Sequence, residues 1–295
     1  MLRRTAASAA FFVALALLPA TPGVAAAATC PIVASHAAKV DAPENTVPGI
    51  RNAAAAGAGL VELDVRWSKG DGTAAYPGWP VLMHDPTVDR TTNGTGQVSA
   101  LGLGDLGKLS AAAYAPWSAD ARYAGFLADG KPRAGVPYAY DFLTAARAAS
   151  VRPLLDVKVT PNRVQMDKLV EYLDKTSTRD SVIYMSSPAA IATVRPWYPD
   201  LEYWAIEYPA NGSLRSGAYL RSLGVTTYAV QAQAADLDAA AVAYWHSTGL
   251  KVATWSSDST TIDSPSTWQQ VRTEGVDYLI TNRPADAIAA LNCGS

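Results

Sequence analysis

The alternation of short apolar segments with longer amphipathic segments is the feature that most restricts the fold. From Tyr138 to Leu291, predicted strands and helices follow one another without interruption. Strands joined by helical crossovers run parallel, so the repeat predicts an α/β fold. Counting from Pro31 gives eight strands, each followed by a helix, which favours a closed (β/α)8 barrel over an open sheet. The predicted strands are residues 31–36, 60–67, 152–159, 181–186, 202–208, 226–231, 251–256 and 277–281.

One long segment interrupts this alternation. Between Ser68 and Pro137 the periodic pattern fails, and Gly, Pro, Trp and Tyr are frequent. Long irregular segments in a compact fold are usually functional, and residues 79–84 read as a short strand that returns His84 to the mouth of the barrel. A chain of 295 residues, 49% hydrophobic, can bury one large core. We therefore predict one TIM-barrel domain, residues 29–295, with a long insertion after strand 2.

The first residues have the pattern of a secretory signal peptide, predicted to cover residues 1–28. Arg3 and Arg4 supply the positive start, and a short apolar run follows. That run is too short to span a bilayer. We therefore expect a protein that is secreted to an extracellular, oxidising compartment.

The two cysteines, Cys30 and Cys293, lie close to the two ends of the predicted domain. In an oxidising compartment their even number and their positions suggest one disulfide that joins the first and last elements. Two unpaired thiols are the alternative.

Acidic and apolar residues alternate in the predicted second strand. Glu62 and Asp64 are two positions apart and therefore point to the same side. Asp156, near the end of the third strand, would converge on them, because the carboxyl ends of barrel strands share one face. Their oxygen atoms suit one divalent cation, Mg²⁺ or Ca²⁺. A structural ion-pair network with Lys158 is the alternative.

Two of the three histidines lie beside the predicted acidic strand. His36 ends strand 1, and His84 follows strand 2. Phosphodiester cleavage needs proton transfer from the nucleophile and to the leaving oxygen, and imidazole performs both near neutral pH. We predict that His36 and His84 are the catalytic acid/base pair, with purely structural roles as the alternative. His246 fits a surface position near a helix end.

These residues form part of a motif set that resembles the glycerophosphodiester phosphodiesterase family. The set occurs in family order from Ser35 to Pro284 and is specific as a whole, although each motif alone is weak. The matching segments are His36; Pro43-Glu44-Asn45-Thr46; Glu62-Leu63-Asp64; His84-Asp85 with Asp89-Arg90-Thr91-Thr92; Asp156-Val157-Lys158; Ala253-Thr254-Trp255; and Gly275-Val276-Asp277-Tyr278-Leu279-Ile280-Thr281-Asn282-Arg283-Pro284.

The resemblance implies a barrel with one divalent ion and a histidine pair, and it places Glu44 beside that centre. The family usually has Arg-Gly after its first histidine, where this chain has Ala37 and Ala38. Lys39 is a candidate replacement for the missing arginine. The usual third metal ligand is Glu, whereas Asp156 looks like that of the secreted sphingomyelinase D and phospholipase D barrels, which lack the Pro-Glu-Asn-Thr motif.

We therefore expect metal-dependent hydrolysis of a glycerophosphodiester, releasing an alcohol such as choline or ethanolamine and leaving glycerol 3-phosphate. A substrate hydroxyl that attacks first, forming a cyclic phosphate, is a variant that the resemblance suggests. The predicted substrate-binding residues are Lys158, Glu44, Trp255 and Lys39.

Two alternatives change the substrate or the class of protein. A phospholipase D or sphingomyelinase D-like enzyme would act on intact phospholipids, and aromatic residues of the insertion would contact the lipid surface transiently. A secreted binding protein on a decayed enzyme barrel is the other alternative. The aromatic residues that would contact the lipid surface are Tyr76, Trp79, Tyr114 and Trp117.

The formal net charge of −2 is not that of a strongly basic nucleic-acid-binding protein, so no nucleic-acid partner is expected. We also expect the protein to be a monomer.

Overall fold

The structure, a computed structural model, describes residues 30–71, 73, 75–207, 216–232, 237–255 and 263–293. The predicted signal peptide, residues 1–28, lies outside the described residues. Among the residues that are described, no helix combines the length and apolar character that crossing a membrane requires.

Eight parallel strands form a closed barrel, as predicted. β1 pairs in parallel with both β2 and β9, which closes the sheet. A ninth strand, β3, pairs antiparallel with β2 and is the short strand predicted within the insertion. The strands are β1 (Ile32–Ser35), β2 (Leu60–Trp67), β3 (Pro80–Leu82), β4 (Arg152–Val157), β5 (Val182–Met185), β6 (Glu202–Glu207), β7 (Thr227–Gln231), β8 (Lys251–Trp255) and β9 (Tyr278–Thr281).

Helices lie between the barrel strands and follow the last one. The sequence pattern predicts the first helix from Glu44, whereas α1 begins at Val47, because Asn45 is left-handed (φ 57°) and the Thr46 hydroxyl caps the helix by accepting from Gly49 N. The helices are α1 (Val47–Ala55), α2 (Leu103–Leu106), α3 (Ala139–Ala148), α4 (Arg163–Lys175), α5 (Pro188–Val194), α6 (Gly217–Ser222), α7 (Ala239–Ser247), α8 (Pro265–Glu274) and α9 (Pro284–Leu291), with single 3₁₀ turns at His36–Ala38, Val98–Ala100, Trp117–Ala119 and Arg195–Trp197.

Strand alternation divides β2 between two cores. Val61, Leu63 and Val65 pack in the layer between barrel and helices, whereas Leu60 packs inside the barrel. Glu62 and Asp64 follow Leu60 on the inward face at spacings of two residues. The barrel interior is therefore apolar near the start of β2 and acidic near its end.

The insertion between β2 and α3 builds one small apolar cluster of its own and shares a second with the loop after β1. The Tyr123 hydroxyl donates to the Asp41 carbonyl (2.6 Å), and Arg122 pairs with the Asp41 carboxylate. The clusters comprise Val81, Met83, Val88, Val98, Leu106 and Val136, and Ala42, Ala112, Tyr123 and Ala134. The insertion is thus packed structure rather than an open loop.

The predicted disulfide between Cys30 and Cys293 is present, with Cα atoms 5.8 Å apart. Cys30 precedes β1, and Cys293 follows α9. Because β1 and β9 are neighbours in the barrel, the two ends of the described chain meet beside them. The disulfide lies at the amino ends of the strands, opposite the acidic end of β2.

Candidate active site

Strand register brings the three predicted acidic residues together. Asp64 on β2 lies opposite Asp156 on β4, and Glu62 lies one inward position before Asp64. All three are at least 95% buried, and each offers a carboxylate oxygen within 4.8 Å of the others. The predicted convergence is therefore observed.

Each carboxylate is held by a different set of donors. Ala37 N donates to Glu62 Oε2 (2.6 Å), and Asn45 Nδ2 donates to Asp64 Oδ2 (2.6 Å). Lys158 Nζ lies 2.7 Å from Asp64 Oδ1 and 2.6 Å from Asp156 Oδ2. Asp156 Oδ1 is buried and has no hydrogen-bond partner among the described residues.

Burial dominates the electrostatics of this cluster. It raises the pKa of Glu62 well above the ordinary value, and the nearby Asp64 raises it further. Burial also raises the pKa of Asp156. For Asp64, burial is outweighed by the charge of Lys158 and by hydrogen bonds, and the pKa is lowered. The pKa of Lys158 is raised, because the three carboxylates outweigh its own burial. Three acids facing one lysine leave uncompensated negative charge.

This donor set fits a hard divalent cation. Glu62, Asp64 and Asp156 offer carboxylate oxygens at short mutual distances, which Mg²⁺ and Ca²⁺ prefer. The buried Asp156 oxygen without a partner is the strongest sign, because a native fold rarely leaves such an atom unsatisfied. A network with Lys158 alone does not account for it.

His36 lies at the end of β1, where the 3₁₀ turn begins. Its Nδ1 is 2.8 Å from Asn282 Oδ1, and an amide oxygen only accepts, so Nδ1 carries the proton. Asp263 fixes Asn282 by accepting from its backbone N–H (2.9 Å). These hydrogen bonds fix the orientation of the His36 ring.

His84 is held differently, although through the same ring nitrogen. Its Nδ1 lies 2.8 Å from Asp85 Oδ1, and Arg90 Nε donates to the other oxygen of Asp85. Arg66 donates from both Nε and Nη2 to the His84 carbonyl, at 3.0 and 2.7 Å. The side chain of His84 is 48% exposed, so it lies at the mouth of the barrel.

Glu44 and Lys39 lie beside this centre but contact each other. Glu44 is buried and accepts two hydrogen bonds from Arg90, while Lys39 Nζ is 3.7 Å from Glu44 Oε2. The group of potential metal ligands within the described residues does not include Glu44. The substrate-binding roles of Glu44 and Lys39 stay predictions.

A small cleft of about 40 Å³ lies over the acidic cluster at the carboxyl ends of the strands. Both predicted catalytic histidines line it, and so do Lys158 and Trp255. Its other lining residues are Glu62, Asp156, Tyr184, Ile206 and Ile280.

Several residues around the cleft have roles that sequence reasoning did not assign. Asn45, Asp85, Arg90 and Asn282 lie in the quoted motifs, but their partners are distant in sequence and become visible only in the fold. Arg66 was detectable, because it follows Glu62 and Asp64 at the same two-residue spacing on β2.

Three comparisons relate the chain to known proteins. The model of the Glycerophosphoryl diester phosphodiesterase family matches residues 36–286. Glycerophosphodiester phosphodiesterase 1 from Homo sapiens is 47% identical over 81 residues, which are 28% of this chain and 22% of that protein. The match thus spans less than a quarter of the length of that curated relative.

Solved structures with low sequence identity share the fold. A glycerophosphodiester phosphodiesterase from Agrobacterium tumefaciens superimposes with a TM-score of 0.67 at 22% identity, covering 88% of this chain and 99% of that one. A phosphodiesterase from Oleispira antarctica, in complex with the product sn-glycerol-3-phosphate, gives 0.71 at 20% identity, covering 89% and 97%. At these identities the structures support the barrel itself.

Proposed function

The chain belongs to the glycerophosphoryl diester phosphodiesterase family, and from this premise we propose that it is a metal-dependent hydrolase of glycerophosphodiesters. The reaction releases an alcohol and leaves glycerol 3-phosphate. The observation that carries the proposal is a cluster of three buried carboxylates, two of which line one cleft together with a lysine and two histidines.

Glu62, Asp64 and Asp156 would hold one divalent cation, Mg²⁺ or Ca²⁺. Such an ion neutralises phosphate charge and lowers the pKa of a bound hydroxyl or water. The pairing of Asp64 with Asn45 and Lys158 fixes the orientation of its carboxylate.

His36 and His84 form the proposed acid/base pair. One histidine takes a proton from the attacking water, whose oxygen bonds to phosphorus, while the bond from phosphorus to the alcohol oxygen breaks. The other histidine protonates that leaving oxygen. Asn282 and Asp85 each hold Nδ1, so Nε2 of either ring is the atom that exchanges the proton.

Lys158 balances the negative charge that develops on the phosphate. Its Nζ lies between Asp64 and Asp156 and borders the cleft. A compact ammonium group in that position acts as a point charge for a non-bridging oxygen. Trp255, at the end of β8, forms an apolar wall against which the glycerol carbons pack.

The deciding experiment is product analysis on glycerophosphocholine, with and without EDTA and with Mg²⁺ or Ca²⁺ added back. We expect choline and glycerol 3-phosphate, lost on chelation and restored by one of the two ions. Activity that persists in EDTA contradicts the metal-dependent mechanism. Absence of hydrolysis with every ion favours the binding-protein alternative.

Hydrolysis of intact phospholipids is the less supported substrate choice. Three of the four aromatic residues considered for lipid contact pack within the fold: Trp79 against Tyr172, Trp117 against Tyr123, and Tyr114 through a hydrogen bond with Glu44 N. Tyr76 is 61% exposed. Parallel assays on phosphatidylcholine and sphingomyelin vesicles separate the two substrate classes.

We infer that the protein is secreted and acts as a monomer outside the cytoplasm. A disulfide persists in oxidising compartments, which the pair Cys30–Cys293 suits. N-terminal sequencing of the protein recovered from the culture medium tests cleavage after residue 28, and light scattering tests the monomer.

A further inference from the structure

A larger groove lies next to the catalytic cleft. It has a volume of about 370 Å³ and begins at Arg66, which holds the His84 carbonyl from the other side. Val159, the residue after Lys158, forms part of its lip. The groove and the catalytic cleft therefore border neighbouring residues: Val159 lines the groove, Lys158 lines the cleft, and Arg66 of the groove bonds to the carbonyl of His84.

The catalytic cleft is too small for a whole diester. Its 40 Å³ corresponds to about three water molecules. Once the phosphate lies over the acidic cluster, at least one alcohol half must extend beyond the cleft. The groove is the adjoining space on the side of His84 and is in the size range of small-molecule sites.

Among the described residues that line the groove, Arg66 is the one with a charged side chain. No described carboxylate forms a salt bridge with it, although Asp64, Asp85 and Asp156 act on its charge from outside the groove. Asn162 and Gln165 also line the groove, and their side-chain oxygens accept from each other's backbone N–H. What remains of each amide is its NH₂ group, a hydrogen-bond donor.

The same lining lacks the features that recognise a quaternary ammonium group. Such cations are bound by acidic residues or by the faces of several aromatic rings. Among the described residues of the lining, Trp67 is the single aromatic one, and it is only 4% exposed. Its buried indole N–H has no acceptor among the described residues, so it too is a donor.

We propose that this groove binds the leaving alcohol of the diester and selects alcohols that carry a second anionic group over neutral or cationic ones. This inference rests on the proposed function. Arg66 supplies the charge, and the amide groups of Asn162 and Gln165 supply hydrogen bonds to the anion.

The test compares three substrates with the same glycerophosphate half: glycerophosphoinositol 4-phosphate, glycerophosphoinositol and glycerophosphocholine. The first two differ by one phosphate on the alcohol. We expect the KM for the phosphorylated substrate to be lower by about twofold to fivefold, the size of one solvent-screened ion pair.

Variants assign the preference to the groove. Arg66→Gln and Gln165→Glu should each reduce the preference for the phosphorylated substrate by about twofold or more. Glu preserves the capping role of Gln165, so Gln165→Glu changes charge without loss of the helix cap. Arg66→Lys should retain the preference but lower kcat, because lysine cannot make the paired hydrogen bonds to His84. Gln270→Glu, on α8, adds the same charge elsewhere and should leave the preference unchanged.

Equal KM values for the two inositol substrates overturn the inference, as do groove variants that change both substrates by the same factor. If no diester is hydrolysed, the proposed function fails, and calorimetry with inositol 4-phosphate decides about the groove separately. If the wild-type protein binds inositol 4-phosphate and Gln165→Glu weakens that binding, the anion subsite is supported. If the wild-type protein does not bind inositol 4-phosphate, the anion subsite is rejected.

Discussion

At the scale of single residues, the two proposed catalytic histidines have different supports. The ring of His36 is held by the neutral amide of Asn282, and that of His84 by the carboxylate of Asp85, which Arg90 also engages. The orientation of one ring therefore depends on a neutral acceptor, and that of the other depends on a charged pair.

Replacement of either histidine should abolish most of the turnover. We expect His36→Ala and His84→Ala to lower kcat by about 10²- to 10⁴-fold each, the usual contribution of a general acid or base. His246→Ala is the control, because His246 lies on α7 and bonds to Asp277. Near-normal activity in both active-site variants would rule out this mechanism.

Asp156→Asn should weaken metal binding and activity together. It removes one negative charge from a buried oxygen set and leaves the backbone unchanged. We expect at least about 10²-fold lower kcat/KM and a matching shift of the Mg²⁺ or Ca²⁺ titration to higher concentration. Asp180→Asn, at an exposed position before β5, is the matched control. An unchanged ion titration would show that Asp156 is not a ligand.

At the scale of elements, α1 and the loop after β1 approach very closely. A Cβ atom added at Gly49 would lie 2.1 Å from the Ala38 carbonyl oxygen. Ala37 and Ala38 are both left-handed, with φ of 48° and 50°, so this loop is already strained. The loop also carries the Ala37 N–H that binds Glu62.

Gly49→Ala should therefore damage both stability and catalysis. The added methyl group forces the Ala38 carbonyl to move, and with it the donor to Glu62. We expect a lower midpoint of thermal unfolding and a reduced kcat. Gly104→Ala on α2 is the control, because nothing lies within 4 Å of a Cβ there. Equal unfolding midpoints and equal kcat values for the two variants would contradict the close contact between Gly49 and the Ala38 carbonyl.

The start of β6 offers a test of pH dependence. Burial alone would raise the pKa of Glu202, but hydrogen bonds from Trp204 and the pairing with Arg152 hold it below its ordinary value of 4.5. A lowered pKa in the folded state adds stability above the unfolded pKa and loses it as the pH falls through the folded value.

Wild-type protein should consequently exceed Glu202→Gln in free energy of unfolding by a constant amount between pH 5 and 7. The difference should shrink below pH 4.5. Urea unfolding of both proteins at several pH values measures this difference in free energy. The other acidic residues are the same in both proteins, so their contributions cancel. A difference that stays the same at low pH would show that this carboxylate is not responsible.

At the scale of the whole molecule, the disulfide should affect stability without affecting the active site. It closes a loop of 263 residues and lies at the end of the barrel opposite the cleft. Replacing both cysteines with serine should lower the free energy of unfolding by roughly 2 to 5 kcal/mol. Kinetic constants at 25 °C should not change. If the variant loses activity well below its unfolding temperature, the disulfide at one end of the barrel influences the active site at the other end.

Much of this architecture was predictable from residue periodicity. Glu62 and Asp64 alternate with apolar residues, and this pattern alone placed them inside the barrel. The predicted start of α1, Glu44, was three residues too early. Asn45 adopts a left-handed conformation, which its contacts with Asp64 stabilise, so the helix cannot begin before it. No local pattern encodes such a contact.

Partners distant in the chain were the part of the site that periodicity could not supply. Arg90 and Glu44 are 46 positions apart, and His36 and Asn282 are 246 apart. Their pairing depends on how the insertion folds back and on closure of the barrel between β9 and β1. The residue types of the candidate site could be read from the sequence, whereas the hydrogen-bond network that orients them required the fold.

The bond between Cys30 and Cys293 makes the described chain a covalent ring. A single proteolytic cut between these residues, for example in the insertion, opens the ring without releasing a fragment. The nicked protein stays one covalent molecule, heavier by the one water taken up in hydrolysis, until a reductant is added and it separates into two pieces. Nicking therefore leaves every part of the barrel tethered to its neighbours.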